Sequence, residues 1–239
     1  MSLKAVVTGG SQGIGSAISE RLIEADYEVF ILDITGSQNT IRCDVSDESA
    51  VADIAATIGP IDLLVNNAGI WKFGPLEDTT LEEFSRVLDV NLKGAFNTIK
   101  FFGSRMLKIG HGSIVNIVSI AAKHPNPSVG SYGPSKAALV SLTEQVAVEW
   151  GPRGVRCNGV AVGLVPTPGT DDVYRRKSVR DLRSEAIPLN RLGSPTEIAE
   201  AVYFLGSEAS QYINGHILYV DGGLSKALMT LLPRPENLE

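Results

Sequence analysis

The chain has 239 residues, 44% of them hydrophobic and 20% charged, and its 21 basic and 27 acidic side chains leave a net charge of −6. That apolar share excludes a disordered chain, and the length suits one large α/β domain or two small ones. The acidic balance argues against nucleic acid or an anionic membrane as the main partner, since both need clustered Lys and Arg.

No apolar run approaches the roughly 18 residues of a membrane span. Regular patterning begins at Leu3, which leaves no room for a signal or transit peptide. The two cysteines, Cys43 and Cys157, have no metal-type spacing. They read as reduced, buried thiols of a cytoplasmic protein.

In chain order, residues 4–8 form a short apolar run that ends in glycines, a buried strand. Residues 15–25 carry Ala17, Ile18, Leu22 and Ile23 at helical spacing. Strands are predicted over 28–33 and 40–43, a helix over 47–58 and a strand over 61–66. A long helix or a broken pair follows over 80–106, then a strand over 112–119 and a helix over 132–150. A strand over 155–160, a helix over 195–205 and a last strand over 216–220 complete the pattern.

Apolar strands alternating with helices predict an α/β fold, a doubly wound parallel sheet of about seven strands with helices on both faces. No linker or repeat interrupts it, so residues 1–239 read as a single domain. Segment 163–191 lacks clean periodicity and is rich in Pro, Arg and Asp. It is expected to lie above the strand ends, where open α/β sheets bind ligands. Residues 229–239, with two prolines and mixed charge, read as an extended tail.

The first strand runs into Thr8, Gly9, Gly10, Ser11, Gln12, Gly13, Ile14 and Gly15, and a helix follows at once. Gly9 can take the positive φ of a tight turn, Gly13 lets backbone approach a pyrophosphate, and Gly15 lets helix pack on strand. The helix N-terminus then favours negative phosphates. Any strand-to-helix turn accepts glycine, but the flanking strand and helix supply the context of a dinucleotide site. Asp33 closes the second strand 18 residues beyond Gly15, where an acid accepts hydrogen bonds from the adenosine ribose. An acid there repels a 2′-phosphate, and Gln12 and Ile34 add no positive charge. NAD is therefore expected over NADP.

Tyr132 and Lys136 lie four residues apart at the start of a helix, on one face and a turn apart. A cation beside a phenol lowers its pKa from about 10 toward the working pH, which makes a general acid/base. Taken alone, this pair is also what a solvated helix face looks like.

Together these residues resemble a classical short-chain dehydrogenase/reductase. The matching motifs are TGGSQGIG at 8–15, CDV at 43–45, NNAG at 66–69, VNLKG at 90–94, IVNIVS at 114–119, YGPSK at 132–136 and VDGG at 220–223. They stand in the family's order and span residues 3 to about 225. The resemblance implies a Rossmann-like fold and an oxidoreductase that interconverts a secondary alcohol and a ketone. It implies Tyr132 as general acid/base and Lys136 as the residue that lowers its pKa and holds the nicotinamide ribose. Ser119 would hydrogen-bond the substrate oxygen, and Asn91 would hold a relay water. Asp44 and Val45 would approach the adenine, and Asn67, Ala68 and Gly69 would pass the adenosine side. Val165 backbone and the Thr167 hydroxyl would meet the carboxamide. No metal is implied, and His111, His124 and His216 are too scattered for a ligand set.

Two departures stand out. The pair after the sixth strand is Val162-Gly163 where the family carries Pro-Gly, and only ten residues separate Asp33 from Asp44 where it places a helix. The trimmed segment leaves one sheet face less covered or lets the next strand follow directly.

The substrate pocket is expected from 70–73, 120–129 and 165–191. Trp71 and Phe73 offer apolar surface there or pack in the core. The stretch 174–183 holds five basic residues, which read as a solvated helix face or as an attractor for an anionic substrate. The family's interfaces imply a homotetramer. A 3-oxoacyl-thioester ketoreductase and a non-catalytic dinucleotide-sensing regulator are the alternative functions. An enoyl reductase is disfavoured, because that branch spaces its Tyr and Lys further apart.

Overall fold

The computed structural model describes residues 2–36 and 39–231, with side chains through 228. Its seven strands are β1 (Lys4–Thr8), β2 (Glu28–Asp33), β3 (Thr40–Arg42), β4 (Leu63–Asn66), β5 (Gly112–Ser119), β6 (Val155–Val162) and β7 (Ile217–Val220). They form one sheet in the order β3-β2-β1-β4-β5-β6-β7, with every pairing parallel. The order reverses between β1 and β4, and a crevice opens beyond the carboxyl ends at such a switch.

β4 and β5 are buried along their whole length and β1 and β6 nearly so, as continuous apolar runs in a parallel sheet require. Alternate residues serve opposite faces. Ala5, Val7, Val65, Val115 and Val160 meet Ile18 and Leu22 of α1 (Gly13–Glu24) and Ile198, Val202 and Leu205 of α9 (Pro195–Gly206). Val6, Leu32, Leu64 and Ile114 meet Val51 and Ala55 of α2 (Glu48–Ile58) and Val146 of α6 (Tyr132–Trp150). Each such Leu, Ile or Phe contributes roughly 1.5–3 kcal/mol by burial.

The predicted long helix is helical throughout but uneven. α3 (Leu81–Leu88), α4 (Ala95–Thr98) and α5 (Ser104–Ile109) are joined by π-helical turns at Asp89–Gly94 and Ile99–Gly103. Thr80 and Glu83 start α3 with a capping box, and Gly110 ends α5 in the left-handed region. Asn91 sits in the first π turn, and such turns concentrate at functional sites.

The short segment after Asp33 is resolved in favour of a strand that follows directly. β3 starts opposite Ile31, near the carboxyl end of β2, so the chain returns by only two residue levels and needs no crossover helix. All of β2 except Leu32 is only half-buried or exposed.

Val162 also acts as a strand residue. It pairs with Ser119 and Val220, extending β6 two residues past the expected end, because valine suits a pleated core as proline does not.

α7 (Asp171–Tyr174) and α8 (Lys177–Glu185) occupy the expected substrate segment. Residues 224–231 form a 3₁₀ segment, so the start of the expected extended tail is helical, and 232–239 lie outside the described residues. Among the described residues no helix is long and apolar enough to cross a membrane.

Candidate active site

A cleft of about 330 Å³ lies at the carboxyl ends of the strands. Gly9, Gln12, Gly13, Ile14, Gly15, Asp33, Asp44, Val45, Asn67, Ala68, Gly69, Tyr132, Lys136 and Thr167 line it. The structure brings these predicted positions together from elements more than a hundred residues apart.

Gly9 turns at φ +61°, and a Cβ on Gly15 would stand 2.1 Å from the Gly9 carbonyl oxygen. No other residue fits at Gly15 without moving backbone. Gln12 precedes α1 in extended conformation and gives no side-chain cap, and the first turn holds no acid. The first-turn N–H groups therefore lack an acceptor among the described residues and form the positive end of the helix dipole. That arrangement fits the pyrophosphate of a dinucleotide.

Thr8 lies beneath this loop and does not line the cleft. Its hydroxyl accepts from the Asn67 and Ala68 amides, both at 3.0 Å. Asn67 Nδ2 in turn donates to the Thr8 and Gly9 carbonyls. The two residues lock the glycine loop to the segment after β4.

Asp33 accepts from the Ser11 hydroxyl at 2.6 Å and from the Thr35 amide and hydroxyl at 3.1 and 3.0 Å. Burial opposes its charge, but the hydrogen bonds from Ser11 and Thr35 outweigh burial and hold the carboxyl below its usual range. Asp44 is held likewise: burial raises it, and Ser46 and Arg86 more than offset that. Arg86 of α3 reaches Asp44 Oδ2 at 3.1 Å and itself lines the cleft.

At the other end, Lys136 is buried and donates to the Ile117 carbonyl at 2.8 Å. Burial lowers its ammonium to about 8. Its Nζ stands 5.8 Å from the centre of the Tyr132 ring. Burial pushes the Tyr132 phenol up, and only the Ser119 hydroxyl pulls it partly back. Burial and the Ser119 hydroxyl set the direction of this phenol's shift, and the expected part of Lys136 in lowering it belongs to the proposed mechanism. Both groups share a desolvated floor that favours each neutral form, and the ammonium is turned to a carbonyl.

Asn91 Oδ1 accepts from the Ile70 amide at 2.8 Å, and its Nδ2 donates to the Ile70 carbonyl and to Ser135 Oγ, both at 2.9 Å. It fastens the loop after β4 to α6. Below it, Thr98, Asn66, Asn116 and Thr143 form a buried hydrogen-bonded chain across the sheet.

Ser11, Asn91, Ser119 and Val165 are not in the cleft lining. Val165 is buried and faces a second cavity of about 490 Å³. His124 packs edge-on against Tyr219 of β7. In the basic stretch, Tyr174 is buried beneath Arg183, Arg175 pairs with Asp172 and Lys177 pairs with Asp181, which favours the solvated-face reading. Sequence reasoning missed Arg86, Thr35, Val90 and Ile117 in the lining. Only the residue two after Asp33 carried a signal, as a hydroxyl placed to close a turn on that carboxylate. Among the described residues no group of three His, Cys, Asp or Glu is placed to hold a metal ion.

A family model described as enoyl-(acyl carrier protein) reductase matches residues 9–225. A 2-(R)-hydroxypropyl-CoM dehydrogenase of Xanthobacter autotrophicus is 38% identical, with 93% of this chain and 98% of that protein covered. The chain belongs to the short-chain dehydrogenase/reductase family.

Among solved members, the ligand-free aldohexose dehydrogenase of Thermoplasma acidophilum matches with a TM-score of 0.92 at 34% identity, covering 98% of each chain. A gluconate 5-dehydrogenase of Burkholderia cenocepacia, in complex with NADP and tartrate, matches with 0.89 at 30% identity, over 95% of this chain and 96% of that one. As a short-chain dehydrogenase/reductase the protein is an NAD(P)-dependent oxidoreductase that interconverts a secondary alcohol and a ketone.

Proposed function

We propose that this short-chain dehydrogenase/reductase prefers NAD and moves the substrate proton on Tyr132. The observation that carries the reading is one cleft with Asp33 at one end and the Tyr132–Lys136 pair at the other. When bound, the dinucleotide supplies or accepts the hydride.

The chain's own residues do the rest. Gly9, Ser11, Gln12, Gly13, Ile14 and Gly15, with Thr8 below them, hold the pyrophosphate side. Asp33 accepts from the adenosine ribose and repels a 2′-phosphate. Asp44 and Val45 flank the adenine, and Asn67, Ala68 and Gly69 the adenosine side. Val165 backbone and Thr167 orient the carboxamide. Ser119 donates to the substrate oxygen, and Tyr132 gives that oxygen a proton in reduction and takes it back in oxidation. Lys136 holds the second ribose and steadies the phenolate, and Asn91 holds the relay water.

Residues 1–239 act as one dinucleotide-binding domain with the substrate loop over 163–191. The partner is a small alcohol or ketone. A cytoplasmic location is supported by two free, buried thiols. A homotetramer is supported by exposed Phe96, Val148 and Phe204 on α4, α6 and α9, and by β7 as an edge strand.

The test is a fluorescence screen of the purified protein with NADH and NADPH against alcohol and ketone libraries. Turnover with NADH preferred is expected. A clear preference for NADPH overturns the Asp33 argument, and full rate in Tyr132→Phe overturns the proton path.

A further inference from the structure

We propose that Trp71 sets the upper size of the substrate, by arching over the reacting hydroxyls from the loop after β4 to the loop after β6. The inference rests on the reading of Ser119 and Tyr132 as the hydroxyls that meet substrate.

β4 and β6 flank β5 in the sheet, so a contact between the loops that follow them crosses above the end of β5, where Ser119 stands. Trp71 makes that contact. A Cβ built on Gly169 would lie 2.6 Å from the Trp71 ring. The indole therefore rests on bare glycine backbone, with no room for a side chain between them. Phe73 stacks with the indole at a centroid distance of 6.2 Å.

The arch is fastened on two sides. Thr167, two residues before Gly169, stands against Gly13 of the glycine loop, 3.4 Å from where a Cβ would be. The Gly74 amide, next to Phe73, donates to the Ser128 carbonyl at 2.9 Å, and Gly74 bridges Val129. Val129 lies three residues before Tyr132. The segment 71–74 thus joins the loop that leads into Tyr132 to the loop that carries the proposed carboxamide contact.

Packing does not account for the position. Trp71 belongs to neither large apolar core cluster, is 39% exposed and lines the same cleft as Tyr132 and Lys136. A large aromatic side chain kept for the core would be mostly buried. Here it forms a rigid apolar wall across the mouth, and a wall of that kind discriminates by substituent bulk.

The test is the ratio of kcat/KM for acetophenone to that for butanone, with NADH, in the parent protein and in Trp71→Ala and Trp71→Phe. Trp71→Ala is expected to raise the ratio by about tenfold or more, with Trp71→Phe in between. An unchanged ratio in both overturns the proposal. A second readout needs neither cofactor nor turnover. The Trp71 emission of the ligand-free protein, taken as the difference from the matching Trp71→Phe protein, is expected to shift in Gly169→Ala. An identical emission shows that the contact is absent and overturns the arch. Failure of the enzyme reading looks different, since the parent protein would then turn over no ketone with either NADH or NADPH, whether or not it binds them, and the proposal falls with it.

Discussion

The Ser11 hydroxyl donates to Asp33 Oδ2 at 2.6 Å, and the Ser11 amide reaches the same oxygen at 3.2 Å. Thr35 fills the other oxygen with its amide and hydroxyl. A carboxylate has about four acceptor positions, so Asp33 is saturated from within its own chain. A ribose hydroxyl binding there, as proposed, would do so by exchange with a serine or threonine hydroxyl, which can rotate away.

On the proposed reading, Asp33 therefore decides the cofactor through its charge. Asp33→Ala should lower the kcat/KM ratio of NADH to NADPH by about tenfold to a hundredfold, the value of one or two charge-assisted hydrogen bonds and the lost repulsion. Steady-state kinetics with both cofactors check this. An unchanged ratio would place the discrimination elsewhere, with Arg86 the first candidate.

Tyr132→Phe keeps the ring and removes the proton. Turnover should fall by about 10²–10⁴-fold. In the parent protein, ketone reduction by the proposed proton path uses the protonated phenol and should fall as pH rises through its apparent pKa, whereas alcohol oxidation should rise over the same range. Matching pH–rate profiles in the two directions would rule out a single group serving both.

Lys136 makes a stability prediction for the ligand-free protein. Its ammonium titrates at about 8 when folded and near 10.5 when unfolded. Between those values the unfolded chain holds more protons, so this group adds stability as pH rises from about 8 to 10.5. The gain amounts to about 3 kcal/mol at most. Burial pushes the Cys43 thiol up to about 11, and that group acts in the opposite direction above its unfolded value near 9. Denaturant titrations of the parent and Lys136→Met at several pH values isolate the lysine, and parallel curves would refute it.

Gly15→Ala should lower Tm and weaken NADH binding together, because the new methyl meets a backbone oxygen at 2.1 Å and Asn67 Nδ2 at 2.6 Å. Overpacking of this kind costs about 1–3 kcal/mol. Gly74→Ala, with nothing within 4 Å of its Cβ, is the control and should stay within about 0.5 kcal/mol. Thermal melts and NADH titrations of both proteins check the contrast.

Strands and helices were legible where apolar period and punctuation agreed. The bounds read for 4–8, 28–33, 112–119 and 132–150 are those observed. The strand read from 61 begins at Leu63, after Asp62, whose side chain accepts from the Lys4 amide while its backbone bonds Lys4 and Ser113. The site was legible wherever its residues sit in a local motif, as Gly15, Tyr132 and Lys136 do. Arg86 was not, because its meaning depends on Asp44, 42 residues away.

The residues alone determined the parallel sheet, the glycine loop and the Tyr-Lys pair, because each is a matter of local period, backbone freedom or helical spacing. Tertiary structure alone decided the state of the groups. It saturated Asp33, turned Lys136 toward the Ile117 carbonyl, buried the Tyr132 phenol and set Trp71 on Gly169. Hydrogen-bond occupancy and desolvation depend on which distant atoms converge, and no spacing along the chain carries that information.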